Sequence, residues 1–277
     1  MSSRQKLIIL VTSILLAPSP VFAESKIEKD VVIGMVSGLA LVMDVHHPEN
    51  PNGYAIVHVS GSGFRRPLSY DAPQLSESQV RIFGAPLVEQ GYTIFSLNHR
   101  AIPKFEISEA VLDVQRAVRY VRYHADDYGI EPNHIGAVGG SSGGYLVSML
   151  GLLDGNGDPE DRDPINQVSG KVQTVLARAP VTDFARMDPD SDRVTEASPI
   201  DFVSRDDPPL LLLHGDVDET VPFEQSEVLL AALEQAGVAA HLITIPNAGH
   251  GPTFPGAVNP PDYIGAMIEW FDGHLKK

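Results

Sequence analysis

The stretch of sequence that decides the fold is residues 134–144, His-Ile-Gly-Ala-Val-Gly-Gly-Ser-Ser-Gly-Gly. Its first five residues form a mostly apolar run typical of a buried strand, and a helical pattern follows at 145–153. A serine in so tight a strand-to-helix turn needs small neighbours and unusual backbone angles, which the spacing G-x-S-x-G provides. This spacing occurs twice, once centred on Ser141 and once on Ser142, and spacing alone does not choose between them. A phosphate-binding glycine loop and a plain turn are the other interpretations, but neither phosphate-loop pattern is present here.

Short apolar runs recur along the chain, most of them followed by a polar or glycine-rich turn and a helical pattern. We expect strands at 55–59, 93–97, 134–138, 175–179, 210–213 and 241–245. Amphipathic helices are expected at 109–123 and 226–234. A hairpin is expected from 31–33 and 39–45. The alternation predicts an α/β fold: an open, mostly parallel sheet with helices on both faces and an antiparallel N-terminal strand pair, in a single domain over residues 24–277.

Two further loops at predicted strand ends carry acidic and imidazole side chains. Asp216, Asp218 and Glu219 follow the strand of four leucines, and Asp218 is favoured because the turn brings it to the crest of the loop. His250 stands between two glycines after the last predicted strand, and imidazole is the natural general base at neutral pH. Taken alone, either loop is more typical of a solvated surface turn. Together with Ser141, they give the order serine, acid, histidine of the α/β-hydrolase triad.

The sequence resembles an α/β-hydrolase of the esterase/lipase branch, close to the hormone-sensitive-lipase-like and the bacterial feruloyl or acetylxylan esterase-like carboxylesterases. The resemblance is carried by residues 89–92, 98–100, 113–122, 135–144, 214–218 and 249–251. It implies a serine hydrolase that cleaves carboxylic ester bonds. It also implies that Ser141 is the nucleophile, with Ser142 standing where the family usually has alanine. Asp218 would orient the imidazole, and His250 would be the general base.

One departure from the family concerns the oxyanion hole. Such esterases usually place a His-Gly-Gly-Gly segment after an early strand, whereas residues 60–64 here read Ser-Gly-Ser-Gly-Phe. Backbone donors survive this change, because they need a tight turn and not a particular side chain. The resemblance implies that the N–H groups of Ser62, Gly63 and Ser142 hold the oxyanion.

Residues that contact the substrate are expected beside these loops. Phe64 follows the oxyanion turn, and Phe254 lies in a proline-rich segment close to His250. The longest segments without clear periodicity, 67–83 and 184–201, are lid candidates. Neither shows the long amphipathic helix of an interfacial lipase. A small or medium soluble ester is therefore the expected small-molecule substrate.

Composition excludes several kinds of chemistry. The chain has 277 residues with 20 Lys plus Arg against 36 Asp plus Glu, and its net charge of −16 argues against nucleic acid as a partner. The absence of cysteine excludes disulfides, thiolate nucleophiles and Cys-ligated zinc. Asp154, Asn156 and Asp158 begin like a calcium loop, but Pro159 and Ile165 stand where that loop needs glycine and glutamate. We expect no metal and no cofactor.

The first 23 residues have the pattern of a secretory signal peptide. Arg4 and Lys6 precede an apolar run at 7–16, and Val-Phe-Ala at 21–23 suits cleavage after Ala23. That run is too short to span a bilayer, which takes about 20 residues. An uncleaved anchor is the alternative interpretation. We expect an exported protein, periplasmic or secreted, with no membrane span, and the sequence predicts no particular oligomeric state.

Two other functional classes share parts of this pattern. A serine exopeptidase has the same triad order, although its relatives usually add a large gating domain. A non-catalytic binding protein is the second alternative, and it would have had to keep all three triad residue types together with their glycines. Turnover of p-nitrophenyl esters compared with that of an aminoacyl anilide separates these classes. A protein that turns over no ester and is not labelled by a fluorophosphonate would not be a serine hydrolase.

Overall fold

Eight strands form one sheet in the computed structural model, which describes residues 26–77, 79–190 and 192–276. The strands are β1 (Ile27–Val36), β2 (Leu39–His46), β3 (Ala55–Val59), β4 (Thr93–Asn98), β5 (Ile135–Gly140), β6 (Thr174–Arg178), β7 (Leu210–Gly215) and β8 (Ala240–Ile245). Their order across the sheet is β1-β2-β4-β3-β5-β6-β7-β8. Strands β3 to β8 pair in parallel, and the hairpin β1–β2 joins β4 in the antiparallel sense.

Helices cover both faces of the sheet, as predicted. They are α1 (Val80–Glu89), α2 (Ile107–Tyr123), α3 (Ala125–Tyr128), α4 (Ser142–Leu152), α5 (Phe184–Met187), α6 (Glu224–Ala236) and α7 (Tyr263–Leu275). Because neighbouring strand residues point to opposite faces, Val57 packs in one core cluster with α2, α4 and α6, while Ile56 packs in a second cluster with α1 and α7. Burial on both faces explains why the central strands are continuously apolar.

The predicted fold class is confirmed, and the differences lie at the ends of the elements. The hairpin strands and the helices α2 and α6 are longer than their apolar patterns. Strand β5 continues through Gly139 and Gly140, because Gly140 still pairs with Arg178 of β6. Helix α4 consequently begins directly after Ser141. Backbone pairing extends these elements beyond the residues that hydrophobicity reveals.

The predicted lid segments contain short turns of helix. Residues 67–83 include a 3₁₀ turn at Leu75–Glu77 and the start of α1, and residues 184–201 include α5. The predicted signal peptide, residues 1–23, lies outside the described residues. Among the described residues, we find no helix with the length and apolar character needed to cross a bilayer.

Candidate active site

Ser141 occupies the sharp turn between β5 and α4. Its backbone angles are φ 57° and ψ −124°, a combination that side-chain-bearing residues rarely adopt. The strained turn is held on one side by the Ser141 N–H, which donates to the carbonyl of Arg178 at 2.8 Å. The turn projects the hydroxyl from the carboxyl edge of the sheet, where parallel α/β proteins build their sites.

The glycines around Ser141 are required by close backbone contacts. A Cβ on Gly143 would lie 2.2 Å from the carbonyl oxygen of Val59, and a Cβ on Gly139 would lie 2.4 Å from the carbonyl oxygen of Gly143. Gly61, in the turn after β3, has the same constraint, since its Cβ would meet Ser141 Cβ at 2.9 Å. Strand β5, helix α4 and the turn after β3 therefore pack main chain against main chain at this point.

His250 joins the serine to the acid. Its Nε2 lies 3.0 Å from Ser141 Oγ, and its Nδ1 lies 2.7 Å from Asp218 Oδ2. The structure thus brings together the three side chains that the sequence placed on separate loops. Ser142 is different, because the residue is 1% exposed and its Oγ accepts a hydrogen bond from the Ser62 N–H in the turn after β3. The geometry distinguishes the two serines that spacing alone could not separate.

The acid is held in its ionised form by directed hydrogen bonds. Asp218 Oδ1 accepts from the N–H groups of Thr220 and Val221, both at 2.9 Å. Burial opposes ionisation, but the hydrogen bonds from His214, His250 and the Val221 N–H outweigh it and lower the pKa of Asp218 below its usual range. An ionised carboxylate at this position fixes the hydrogen of His250 on Nδ1 and leaves Nε2 free to accept a proton.

The competing acids of the same loop have other contacts. Asp216 Oδ1 accepts a hydrogen bond from the Asn247 N–H at 2.7 Å, and this contact ties the acid loop to the loop that carries His250. Glu219 is exposed to solvent.

A second buried histidine contacts the same acid and was not predicted. His214 Nε2 lies 3.4 Å from Asp218 Oδ2 and 3.0 Å from the carbonyl of Val221, while its Nδ1 lies 2.7 Å from the hydroxyl of Ser226. His214 precedes Gly215 at the end of β7, and its position one turn before Asp218 was the only sequence signal for this contact.

The predicted oxyanion donors are only partly available. The Ser62 N–H donates to Ser142 Oγ at 2.9 Å. It is therefore not the free oxyanion donor that was predicted. The N–H groups of Gly63 and Ser142 have no hydrogen-bond acceptor within the described part of the chain. Serine in place of the family's alanine explains the difference, because its hydroxyl reaches an N–H that an alanine methyl group would leave open.

The prediction that Phe64 and Phe254 contact the substrate is not supported by their burial. Phe64 is 3% exposed and packs edge-on against Tyr145, and Phe254 is 2% exposed and packs edge-on against Tyr263. Both rings belong to the hydrophobic core clusters, one on each face of the sheet. Their positions beside functional loops were visible in the sequence, but the direction of each side chain was not.

Two more residues near Ser141 were not predicted from the sequence. Gln79, with φ 59°, directs its amide Nε2 toward the carbonyl of Gly61 at 3.4 Å. Arg178 is 1% exposed and donates from Nη1 to the carbonyl of Gly251 at 3.2 Å. Neither lies in a recognisable motif, since only the folded chain brings them to the site.

The acidic loop after α4 is stabilised by its own polar contacts. Asp154 Oδ2 accepts from the Asn156 amide at 2.8 Å, and Asp158 Oδ1 accepts from the Glu160 N–H at 3.0 Å. Across residues 26–77, 79–190 and 192–276, we find no cluster of three histidine or carboxylate side chains placed to hold a metal ion.

The sheet order, its antiparallel entry and the serine turn beneath a histidine loop define the α/β-hydrolase fold. The chain belongs to the BD-FAE family, whose model matches residues 43–233. This match confirms the resemblance to the esterase branch that the motifs indicated.

Comparisons with individual proteins agree with this family. The chain is 30% identical over 185 residues to the esterase LipQ of Mycobacterium tuberculosis, a match covering 59% of this chain and 44% of LipQ. It is 35% identical over 107 residues to an acetylxylan esterase of Xylanibacter ruminicola, covering 38% of this chain and 20% of that enzyme. A solved structure, a truncated carbohydrate esterase from gut microbiota, superposes with a TM-score of 0.76 at 28% identity, over 92% of this chain and 98% of that one. The chain spans less than half of the length of the curated relatives it matches.

Proposed function

We propose that this protein is a serine carboxylesterase that hydrolyses small or medium soluble esters through an acyl-enzyme. The observation that carries the proposal is the pair of contacts made by His250, 3.0 Å to Ser141 Oγ and 2.7 Å to Asp218 Oδ2. This arrangement is that of an activated hydroxyl nucleophile with an oriented base. Esterase names among the relatives support the same reaction class.

The reaction proceeds in two halves. In the first, His250 Nε2 takes the proton of Ser141 as Oγ attacks the ester carbonyl carbon, and the same nitrogen then returns this proton to the departing alcohol. In the second, water attacks the acyl-enzyme carbonyl with His250 again as the base, and Ser141 is released with the free acid. Asp218 stays ionised throughout and stabilises the imidazolium.

Negative charge on the carbonyl oxygen is held by backbone donors. We assign the N–H groups of Gly63 and Ser142 to this oxyanion hole, because neither has an acceptor within the described residues. Ser62 contributes through its hydrogen bond to Ser142 Oγ, which ties the turn after β3 to the start of α4. Preorganised donors of this kind are each typically worth about 3 kcal/mol of transition-state stabilisation.

An acylated carbohydrate is the substrate class we favour. The support comes from the acetylxylan esterase and the carbohydrate esterase among the similar proteins. We expect the protein to hydrolyse acetylated xylo-oligosaccharides, with release of acetate, faster than it hydrolyses long-chain alkyl esters. Feruloylated sugars tested in the same panel distinguish an aromatic acyl group from acetyl.

The reaction class is tested with p-nitrophenyl acetate, longer-chain p-nitrophenyl esters and an aminoacyl anilide. We expect turnover of the acetate ester and stoichiometric labelling by a fluorophosphonate, both abolished in Ser141→Ala. Cleavage of the anilide with no ester turnover would identify an exopeptidase instead. The absence of both turnover and labelling would identify a binding protein.

We further propose that the chain is exported after cleavage near Ala23. The support is the charged start, the apolar run and the small residues at 21–23. Fractionation of cells producing the full chain, with N-terminal sequencing of the exported form, tests this. A mature protein beginning at Glu24 is expected. Retention of the full-length chain in the membrane fraction would show an uncleaved anchor.

A further inference from the structure

Arg178 is a buried cation at the centre of the catalytic edge. It is the last residue of β6, lies between β5 and β7, and is among the largest fully buried side chains at 1% exposure. No carboxylate within the described residues lies within ion-pairing distance of its guanidinium, and Nε has no hydrogen-bond partner there. Burial of a charge without a paired carboxylate is unfavourable, so the residue needs an explanation beyond packing.

The guanidinium keeps its charge at neutral pH. Burial lowers the pKa of Arg178 to about 10, and the negative charge of Asp218 acts in the opposite direction. Within the described part of the chain, the guanidinium makes one hydrogen bond, from Nη1 to the carbonyl of Gly251 at 3.2 Å. Gly251 directly follows His250, so this bond anchors the segment that carries the imidazole.

The main chain of the same residue contacts the serine. The carbonyl of Arg178 accepts the Ser141 N–H at 2.8 Å. Gly140, which pairs with Arg178 across the strands, leaves the space that the guanidinium fills, since a Cβ there would lie 2.7 Å from Nε. One residue therefore holds the serine turn through its backbone and the histidine loop through its side chain.

We propose that Arg178 is a positioning residue that sets the distance between Ser141 and His250. This inference rests on the proposed function of these two residues. A displacement of the Gly251 carbonyl moves the imidazole against a serine that the Arg178 main chain holds in place. Misplacement of reacting groups by about 1 Å costs roughly 100-fold in rate.

The test compares Arg178→Met and Arg178→Lys with a matched control, Arg122→Met. Arg122 is a partly buried guanidinium whose pKa, like that of Arg178, is lowered to about 10 by burial. It donates to the carbonyls of Pro132, Ser169 and Lys171, which precede β5 and β6 at the opposite edge of the sheet from Ser141. Arg122→Met therefore removes a similar guanidinium whose hydrogen bonds lie away from Ser141 and His250.

We expect Arg178→Met to lower kcat for p-nitrophenyl acetate about 10- to 100-fold, with KM changed less than about threefold. Arg178→Lys keeps a charged donor and is expected to recover part of the loss. Arg122→Met is expected to lower the unfolding midpoint while kcat of the folded protein stays unchanged.

A second measurement does not depend on turnover. The Nδ1 proton of His250, in its short hydrogen bond to Asp218, is expected to give a downfield proton NMR signal. We expect this signal to shift or broaden in both Arg178 variants. It should stay in place in Arg122→Met. If the wild type cleaves no ester, this signal still tests the positioning role, so the two proposals fail separately. If Arg178→Met does not fold, the proposal is tested by the kcat and the His250 proton signal of Arg178→Lys. A folded Arg178 variant with wild-type kcat, or with reduced kcat and an unchanged signal, would overturn the proposal.

Discussion

His214 Nε2 lies 3.4 Å from Asp218 Oδ2, the carboxylate oxygen that also receives His250 Nδ1. The other neighbour of His214 Nε2 is the carbonyl of Val221, which can only accept, so this nitrogen carries a hydrogen. The Asp218 carboxylate is thus restrained by two imidazoles on one oxygen and by two backbone N–H groups on the other. Its orientation is fixed before any substrate binds.

Replacing His214 tests this restraint. His214→Phe removes the hydrogen bonds to Ser226 and the Val221 carbonyl and the contact with Asp218, while it keeps a planar ring in the buried site. We expect the free energy of unfolding to fall by about 2–3 kcal/mol and kcat to fall about 10-fold. Urea unfolding and steady-state kinetics measure the two effects. Ser226→Ala is the control that keeps the contact with Asp218 and should keep kcat, and a fully active His214→Phe enzyme would refute the idea.

The hydrogen bond between Ser62 N–H and Ser142 Oγ gives a prediction that separates the two serines. Ser142→Ala loses this bond but leaves the backbone donors in place, so we expect kcat to change less than about 10-fold. Ser141→Ala loses the reacting oxygen, and kcat should fall by about 10⁴-fold or more. Kinetics with p-nitrophenyl acetate compare both variants. Equal losses in the two would mean that the assignment of the nucleophile to Ser141 is wrong.

The close packing beneath the serine turn makes Gly143 sensitive to substitution. In Gly143→Ala the new Cβ would stand 2.2 Å from the carbonyl oxygen of Val59, so the turn after β3 must shift. We expect a loss of about 1–3 kcal/mol in the free energy of unfolding together with reduced kcat. Gly273→Ala, in the exposed part of α7 with no atom within 4 Å of the new Cβ, should instead gain up to about 1 kcal/mol. Thermal unfolding checks this contrast: the midpoint of Gly143→Ala should lie below that of Gly273→Ala. Similar midpoints in the two variants would contradict the prediction.

His58 gives the fold a pH dependence of its own. Burial lowers its pKa to about 3, while an unfolded histidine has a pKa near 6.5. The unfolded state therefore binds the extra proton, so the stability from neutral His58 is fully present above about pH 6.5 and is lost as the pH falls toward 3. Between pH 7 and pH 5 this amounts to about 2 kcal/mol.

The corresponding experiment is urea unfolding of wild type and His58→Gln at both pH values. Between pH 7 and pH 5, the free energy of unfolding of His58→Gln should fall by about 2 kcal/mol less than that of the wild type. His241→Gln, at an exposed position of β8, serves as the control and should follow the wild type. Identical pH dependence in all three proteins would show that the pKa of His58 is not lowered in the folded state.

The parts of the fold that the sequence predicted are those with a local signal. The apolar runs of the central strands and the glycines around Ser141 are set by residues within a few positions of each other, and the structure has them at the predicted places. The ends of β5 were not predictable from hydrophobicity, because Gly139 and Gly140 are in the strand by virtue of pairing with β6. Asp218 and His250 were singled out by their loops at strand ends, by the serine–acid–histidine order and by the family resemblance, and not by periodicity.

What the sequence could not provide was the direction of side chains across long separations. Phe64 and Phe254 were expected at the substrate, but each ring turns into a core cluster. Arg178 and Ser142 sit in ordinary positions of a strand and a helix start. Their contacts with Gly251 and Ser62 exist only because the sheet brings distant loops to one edge.

The edge position of β8 has a consequence for how the protein loses its function. Among the described residues this strand pairs only with β7, and five of its six residues are at least partly exposed, whereas every residue of β5 and β7 is buried. Peripheral strands open at a lower free energy than central ones. Because His250 follows this strand and Ser141 follows a central one, we expect mild heating to separate His250 from Ser141 while the middle of the molecule stays folded. Inactivation should precede melting, and it should reverse on cooling.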